Sequence, residues 1–195
     1  MFAGFLPLDC LDMKRMLLAL ALSLLAAAAQ AQDSAASKHF AGVTLTDQNG
    51  KRVALYDLMK SHTVVIYTFF SSCTASCPLM AHSLSELQPR FAKHLGKDLF
   101  FVSISVDPEN DTPQKLKAYA VRNLAKPGWY FLTGSRQEID VALKKVGQYT
   151  ATPEGHVNEM VIGNDATGLW MKAQGLAKAN DLGDVIQKVI DDKKS

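Results

Sequence analysis

Two stretches of this chain leave no face free for water. Residues 63–70 (TVVIYTFF) and 99–106 (LFFVSISV) are continuous apolar runs rich in β-branched and aromatic side chains. Such runs suit strands buried on both faces, which requires layers of structure on either side of the sheet they belong to. Helix patterns supply those layers. Leu84, Leu87, Phe91 and Leu95 recur at helical spacing, predicting a helix over 79–94 with Gly96 as its stop. A second helix is expected over 112–124, capped by Asp111 or Thr112. A third is expected over 135–146, opened by the capping box Ser135-x-x-Glu138. Residues 181–190 predict a closing helix.

The remaining strand signals flank turns. Asn49-Gly50 between residues 43–47 and 52–55 predicts a β-hairpin, followed by a helical turn over 56–60. Residues 129–132 read as a short strand. Residues 157–162 and 169–173 flank the turn Gly163-Asn164-Asp165-Ala166-Thr167-Gly168 and form a second hairpin. Strands alternating with helices imply an α/β sandwich. The hairpin near the end implies a mixed sheet with an antiparallel edge. The order of elements, with two cysteines directly after the first buried strand, resembles the thioredoxin-like fold: a central mixed β-sheet flanked by helices, here with an N-terminal β-hairpin.

Residues 14–31 (KRMLLALALSLLAAAAQA) have the build of an export signal. Lys14 and Arg15 form the charged start, an apolar run follows, and Ala29-Gln30-Ala31 is a cleavage site. The run falls short of the ~20 apolar residues that a spanning helix needs; the competing reading is an uncleaved membrane anchor. Met13 would begin a complete signal by itself, so residues 1–12 are read, as an expectation, as an extension upstream of the true start. The expected organisation is a signal over 1–31, a short disordered linker over 32–38 and one domain over 39–195. Export to the periplasm would remove Cys10 and leave Cys73 and Cys77 in an oxidising compartment. With 21 Lys and Arg against 19 Asp and Glu and no basic block, the chain is not built for nucleic acid.

Cys73 and Cys77 lie four residues apart in Ser72-Cys73-Thr74-Ala75-Ser76-Cys77-Pro78. Positions i and i+4 share a helix face, and Pro78 suits a first helical turn. Two thiols there can exchange a disulfide or hold a soft metal. A helix N-terminus near Cys77 is expected to favour its thiolate, which serves both chemistries. Dedicated exchangers of this fold use Cys-x-x-Cys, so the extra residue weakens that reading. Two thiolates make an incomplete metal site, and histidine is the commonest further ligand.

Of the five histidines, His39, His62, His82 and His94 offer little. His82, five residues beyond Cys77, points about 140° off its face. His156 stands just before the strand at 157–162, after a loop that in this fold class passes near the dithiol. A structural zinc site would want four Cys or His ligands. Two thiolates and one imidazole suit copper better, as Cu(I) or Cu(II). Met80, Met160 and Met171 are candidate soft auxiliary ligands, with core packing as their ordinary role.

Three segments together resemble the Sco/SenC family of thioredoxin-like proteins. They are Phe70-x-x-Cys73-x-x-x-Cys77-Pro78; Val106-Asp107-Pro108-x-x-Asp111-Thr112-Pro113-x-x-Leu116-x-x-Tyr119; and His156 ahead of an apolar strand and the Asp165-x-x-Gly168 turn. The resemblance implies copper bound by Cys73, Cys77 and His156. It also implies delivery of that copper to the dinuclear centre of cytochrome c oxidase, or to another copper protein, or a thiol step that readies the centre. A thioredoxin-like reductant is a partner on the second reading. The family's dithiol commonly reads Cys-Pro-Asp-x-Cys-Pro; here Thr74, Ala75 and Ser76 intervene, and the acidic residue is missing.

Three other readings stay open. One is a disulfide oxidoreductase without a copper role. Another is a thiol peroxidase, since Thr74-x-x-Cys77-Pro78 is similar to the peroxiredoxin motif, with Arg122 or Arg136 as the activating arginine and Phe70 where that motif wants proline. The last is a structural disulfide with no chemistry.

Overall fold

The structure is a computed structural model that describes residues 34–193. The expected export signal lies outside the described residues. The elements run α1 (Ala35–Phe40), β1 (Thr44–Asp47), β2 (Arg52–Ala54), a 3-10 turn (Leu55–Leu58), β3 (Thr63–Phe69), α2 (Ser76–Leu87), β4 (Leu99–Ser105), α3 (Pro113–Arg122), β5 (Trp129–Thr133), α4 (Arg136–Val146), a 3-10 turn (Pro153–Gly155), β6 (Glu159–Asn164), β7 (Leu169–Gln174) and α5 (Ala179–Asp191).

The seven strands form one mixed sheet in the order β2-β1-β5-β4-β3-β6-β7. The apolar runs lie at its centre: β3 and β4 pair in parallel from Thr63↔Leu99 to Phe69↔Ser105. Every residue of β3 is buried. Its side chains alternate between two cores. Val65, Tyr67 and Phe69 face a cluster with α2, α3 and α5, whereas Val64 and Ile66 face one with α1, α4 and Leu55. A strand clothed on both sides has no solvent face, so its sequence shows no alternation. The thioredoxin-like architecture is as expected, with antiparallel strands on both flanks: the N-terminal hairpin docks on β5 through β1, and the β6–β7 hairpin docks on β3.

Several boundaries differ from expectation. The stretch expected as a linker is helical from Ala35, with the Ser34 hydroxyl accepting from the Ser37 N–H and with Ala36 and Phe40 buried. Burial of Phe40 orders a segment whose polar composition suggests none. The helix expected over 79–94 begins at Ser76 and ends at Leu87, followed by turns. Pro89 has no N–H to continue the ladder, so the helix stops although Gln88 itself keeps helical backbone angles. Phe91 nonetheless remains fully buried. Thr112, not Asp111, caps α3: its hydroxyl accepts from the Lys115 N–H, with Pro113 next. The capping box of α4 forms as expected between Ser135 and Glu138.

Candidate metal centre

The dithiol segment is the connection from β3 to α2. β3 delivers the chain to Phe70 at the end of the central strand, and α2 carries it away from Ser76, so Cys73 sits in the intervening loop and Cys77 in the first helical turn. β6 runs antiparallel to β3, with Met160 opposite Tyr67. The residues preceding β6 therefore lie beside those following β3. That register, spanning about eighty positions of sequence, carries His156 to the cysteines. The Cys77 Sγ is 3.2 Å from the His156 Nε2, and the ligand atoms of Cys73, Cys77 and His156 all lie within 4.8 Å of one another. Among the described residues this is the one such cluster of candidate ligands.

The two thiols differ. Cys73 is half-buried and Cys77 fully buried, and both are free. Burial works against ionisation of Cys73. The Cys77 thiol and the N–H groups of Cys77, Ala75 and Ser76 nonetheless hydrogen-bond to it and hold its pKa below the ordinary thiol value. These are amides at the start of α2, where Ala75 offers no side-chain cap, so they are available to an anion. The helix terminus thus favours thiolate at Cys73 rather than at Cys77, contrary to expectation. Burial, with Cys73 beside it, pushes the Cys77 thiol up to about 12. Burial also lowers the pKa of His156. A neutral imidazole is the ligand form. The His156 ring packs edge-on to Phe70, at 5.6 Å between centroids.

The other histidines are engaged elsewhere. His39 contacts the Lys145 carbonyl at 2.7 Å, His82 faces Glu86 at 3.6 Å, His94 faces Asp98 at 3.0 Å, and His62 packs edge-on to Phe100. Met80 and Met160 are fully buried in the core under α2, and half-buried Met171 packs against that core; packing accounts for all three. Arg136 is held by Glu109 and by the Val106 carbonyl. Cys77, the counterpart of the peroxidase nucleophile, is buried with a raised pKa, which works against that reading.

One functional group was hidden in plain view. Asp111, expected as a helix cap or loop residue, is 1% exposed, and its carboxylate accepts from three donors. These are the Ser71 N–H at 3.1 Å, the Ser71 hydroxyl, and the Ser105 hydroxyl at 2.5 Å. It ties the loop two residues before Cys73 to the end of β4. The Asp107–Asp111 segment is itself closed by the Asp111 N–H donating to the Asp107 carbonyl at 2.8 Å. The spacing of Asp107-Pro108-x-x-Asp111 shows a turn; nothing local shows that the second carboxylate reaches forty residues back.

Comparison with known proteins places these features in a family context. The family model described as SCO1/SenC matches residues 28–177. A SCO1 protein homolog of Bacillus subtilis is 38% identical over 115 residues, covering 57% of this chain and 58% of that protein. The chain thus matches little more than half the length of that curated relative. Arabidopsis thaliana ScoI, solved with copper bound, is 26% identical with a TM-score of 0.63, covering 75% of this chain and 94% of the other. BsSco, a member of the Sco family of cytochrome c oxidase assembly proteins with an identified disulfide switch, is 28% identical with a TM-score of 0.62, covering 75% and 90%.

Proposed function

The chain belongs to the SCO1/SenC family, and from that premise we propose that it is a copper-binding protein whose ligands are Cys73, Cys77 and His156. The observation that carries this reading is the convergence of two thiols and one imidazole within 4.8 Å. The donor set fits copper: sulfur selects Cu(I), imidazole serves either oxidation state, and three ligands are one short of a structural zinc site. Copper is the cargo. Cys73, half-buried and reachable, is the ligand that a recipient's thiol or imidazole displaces first, whereas Cys77 and His156 hold the ion from below. The recipient on this reading is the copper-centre subunit of cytochrome c oxidase or another copper protein, a role consistent with relatives described as assembly proteins for that enzyme. Export rests on the signal-like residues 14–31. No described helix is long and apolar enough to cross a membrane.

Titrating the reduced, metal-free protein with Cu(I) and Cu(II) tests the ligand set. His156→Ala is expected to weaken binding of at least one ion by about 10-fold or more. Unchanged affinity for both ions removes His156 from the site.

A second reading has its own support. An accessible thiol with a lowered pKa beside a buried one with a raised pKa is the division of labour of a disulfide exchanger. On that reading the dithiol reduces a partner's thiol pair and is itself restored by a thioredoxin-like reductant. Turnover of a disulfide substrate without metal, lost in Cys73→Ser and in Cys77→Ser, tests it. Retained turnover in either variant refutes it.

A further inference from the structure

Cys73 stands between two cavities of different character. On one flank a cavity of about 330 Å³ is lined by Cys73 with Phe70, Glu154, His156 and Asn158. This is the metal side. On the other flank a cavity of about 250 Å³ is lined by Ser71, Cys73, Pro78, Tyr119, Arg122 and Asn123. Copper binding makes no use of this second cavity.

Its walls are chemically specific. Arg122 is exposed in the last turn of α3, where the helix's negative end favours a cation. Its guanidinium lies over the Tyr119 ring, 5.2 Å from the centroid. Arg52, Arg90 and Arg136 each pair with a carboxylate; among the described residues none lies within salt-bridge distance of Arg122. Tyr119 is 3% exposed, and its hydroxyl is buried with no hydrogen-bond partner among the described residues. A guanidinium supported by the Tyr119 ring thus shares a cavity with the accessible thiol. A guanidinium fork matches a carboxylate, and its stacking on an aromatic ring pre-organises it.

We propose that the Arg122–Tyr119 cavity is a binding subsite for the carboxylate of a small thiol or disulfide that exchanges with Cys73. The proposal rests on the exchange reading of the dithiol given above. With the carboxylate on Arg122, the ligand's sulfur meets Cys73 from the flank opposite His156. In the forward direction the Cys73 thiolate attacks one sulfur of the bound disulfide. A Cys73–ligand S–S bond forms, the ligand's own S–S bond breaks, and one ligand thiolate leaves with the electron pair. Cys77, giving up its proton to solvent, then attacks the Cys73 sulfur and expels the second ligand thiolate. The protein ends with a Cys73–Cys77 disulfide and the ligand as two thiols, so two electrons pass from protein to ligand. The reverse sequence, with two carboxylate-bearing thiols as reductant, reduces the protein.

Three small aliphatic disulfides test this on the reduced full chain: dithiodiglycolate (anionic), hydroxyethyl disulfide (neutral) and cystamine (cationic). Rates of Cys73 reaction are normalised to those of an unstructured cysteine peptide. The expected anionic-to-neutral ratio is about tenfold in the native protein, for one pair of unit charges in contact at the surface. It falls toward one in Arg122→Gln and as salt rises, and Arg122→Glu shifts the preference to cystamine. A native ratio near one, or a ratio unmoved in Arg122→Gln, overturns the subsite alone, because the neutral probe reports separately that the dithiol exchanges. Failure of all three probes to react overturns the subsite together with the exchange reading.

Discussion

Asp111 offers the sharpest test of how the fold holds the site. Its carboxylate is 1% exposed and among the described residues has no cation against it; the Ser71 N–H and the hydroxyls of Ser71 and Ser105 are its partners. Asp111→Ala strands these donors in a space too polar to close over. The hydroxyls can turn to other acceptors, but the Ser71 N–H cannot. Charge-assisted bonds contribute roughly 1.5–3 kcal/mol each, and a stranded buried donor costs ~1–3 kcal/mol. These terms overlap, so the expected loss is about 3–4 kcal/mol, a large share of an ordinary domain's stability. Asp111→Asn keeps the shape and one carbonyl acceptor, and is expected to cost about 1–2 kcal/mol. Because Ser71 precedes Cys73 by two residues, the Asn variant should also lose roughly 10-fold in copper affinity while remaining folded. Urea unfolding of the reduced protein gives the stability change from the shift in midpoint, and copper titration of the Asn variant gives the second quantity. Asp111→Ala unfolding within about 0.5 kcal/mol of the native protein would show that the carboxylate does not hold the loop.

Two further outcomes follow from the thiol and carboxylate chemistry. Brief alkylation of the reduced, metal-free protein with iodoacetamide should modify Cys73 at least ~10-fold faster than Cys77, since Cys73 is both accessible and more readily ionised; peptide mapping decides, and equal rates refute the asymmetry. Glu138 is held down to about 2, first by the Arg52 guanidinium and then by the Ser135 backbone N–H. A lowered carboxyl pKa in the folded state adds stability above the usual carboxylate range, and that stability is lost as pH falls toward about 2. The pair is partly exposed, 50% for Arg52 and 34% for Glu138, so the gain at neutral pH is under about 1 kcal/mol. Glu138→Gln should therefore unfold slightly more easily at pH 7 and match the native protein near pH 2, by thermal midpoints; a gap that persists in acid contradicts the assignment.

The sequence alone determined the central sheet, the helices around it and the identity of the three candidate ligands. Runs such as 63–70 and 99–106 are short, apolar and rich in β-branched and aromatic residues, which favours a strand covered on both faces, and the capping box of Ser135 and Glu138 is a local device with local consequences. Local signals failed where a distant partner decides. Phe40 buries itself against the far sheet face and orders a helix in an apparently featureless stretch. Pro89 ends α2 although the apolar spacing continues, because packing of Phe91 does not require an unbroken helix.

Tertiary structure alone decided what the site is like. The β3–β6 register brings His156 to within 3.2 Å of Cys77, and burial divides two similar cysteines into an accessible thiol and a protected one. It also turns Asp111 from a loop residue into the anchor of the Cys73 loop, and sets Arg122 beside the thiol's second flank. Distances and desolvation depend on chain segments tens of residues apart, and no spacing of residues along the sequence encodes them.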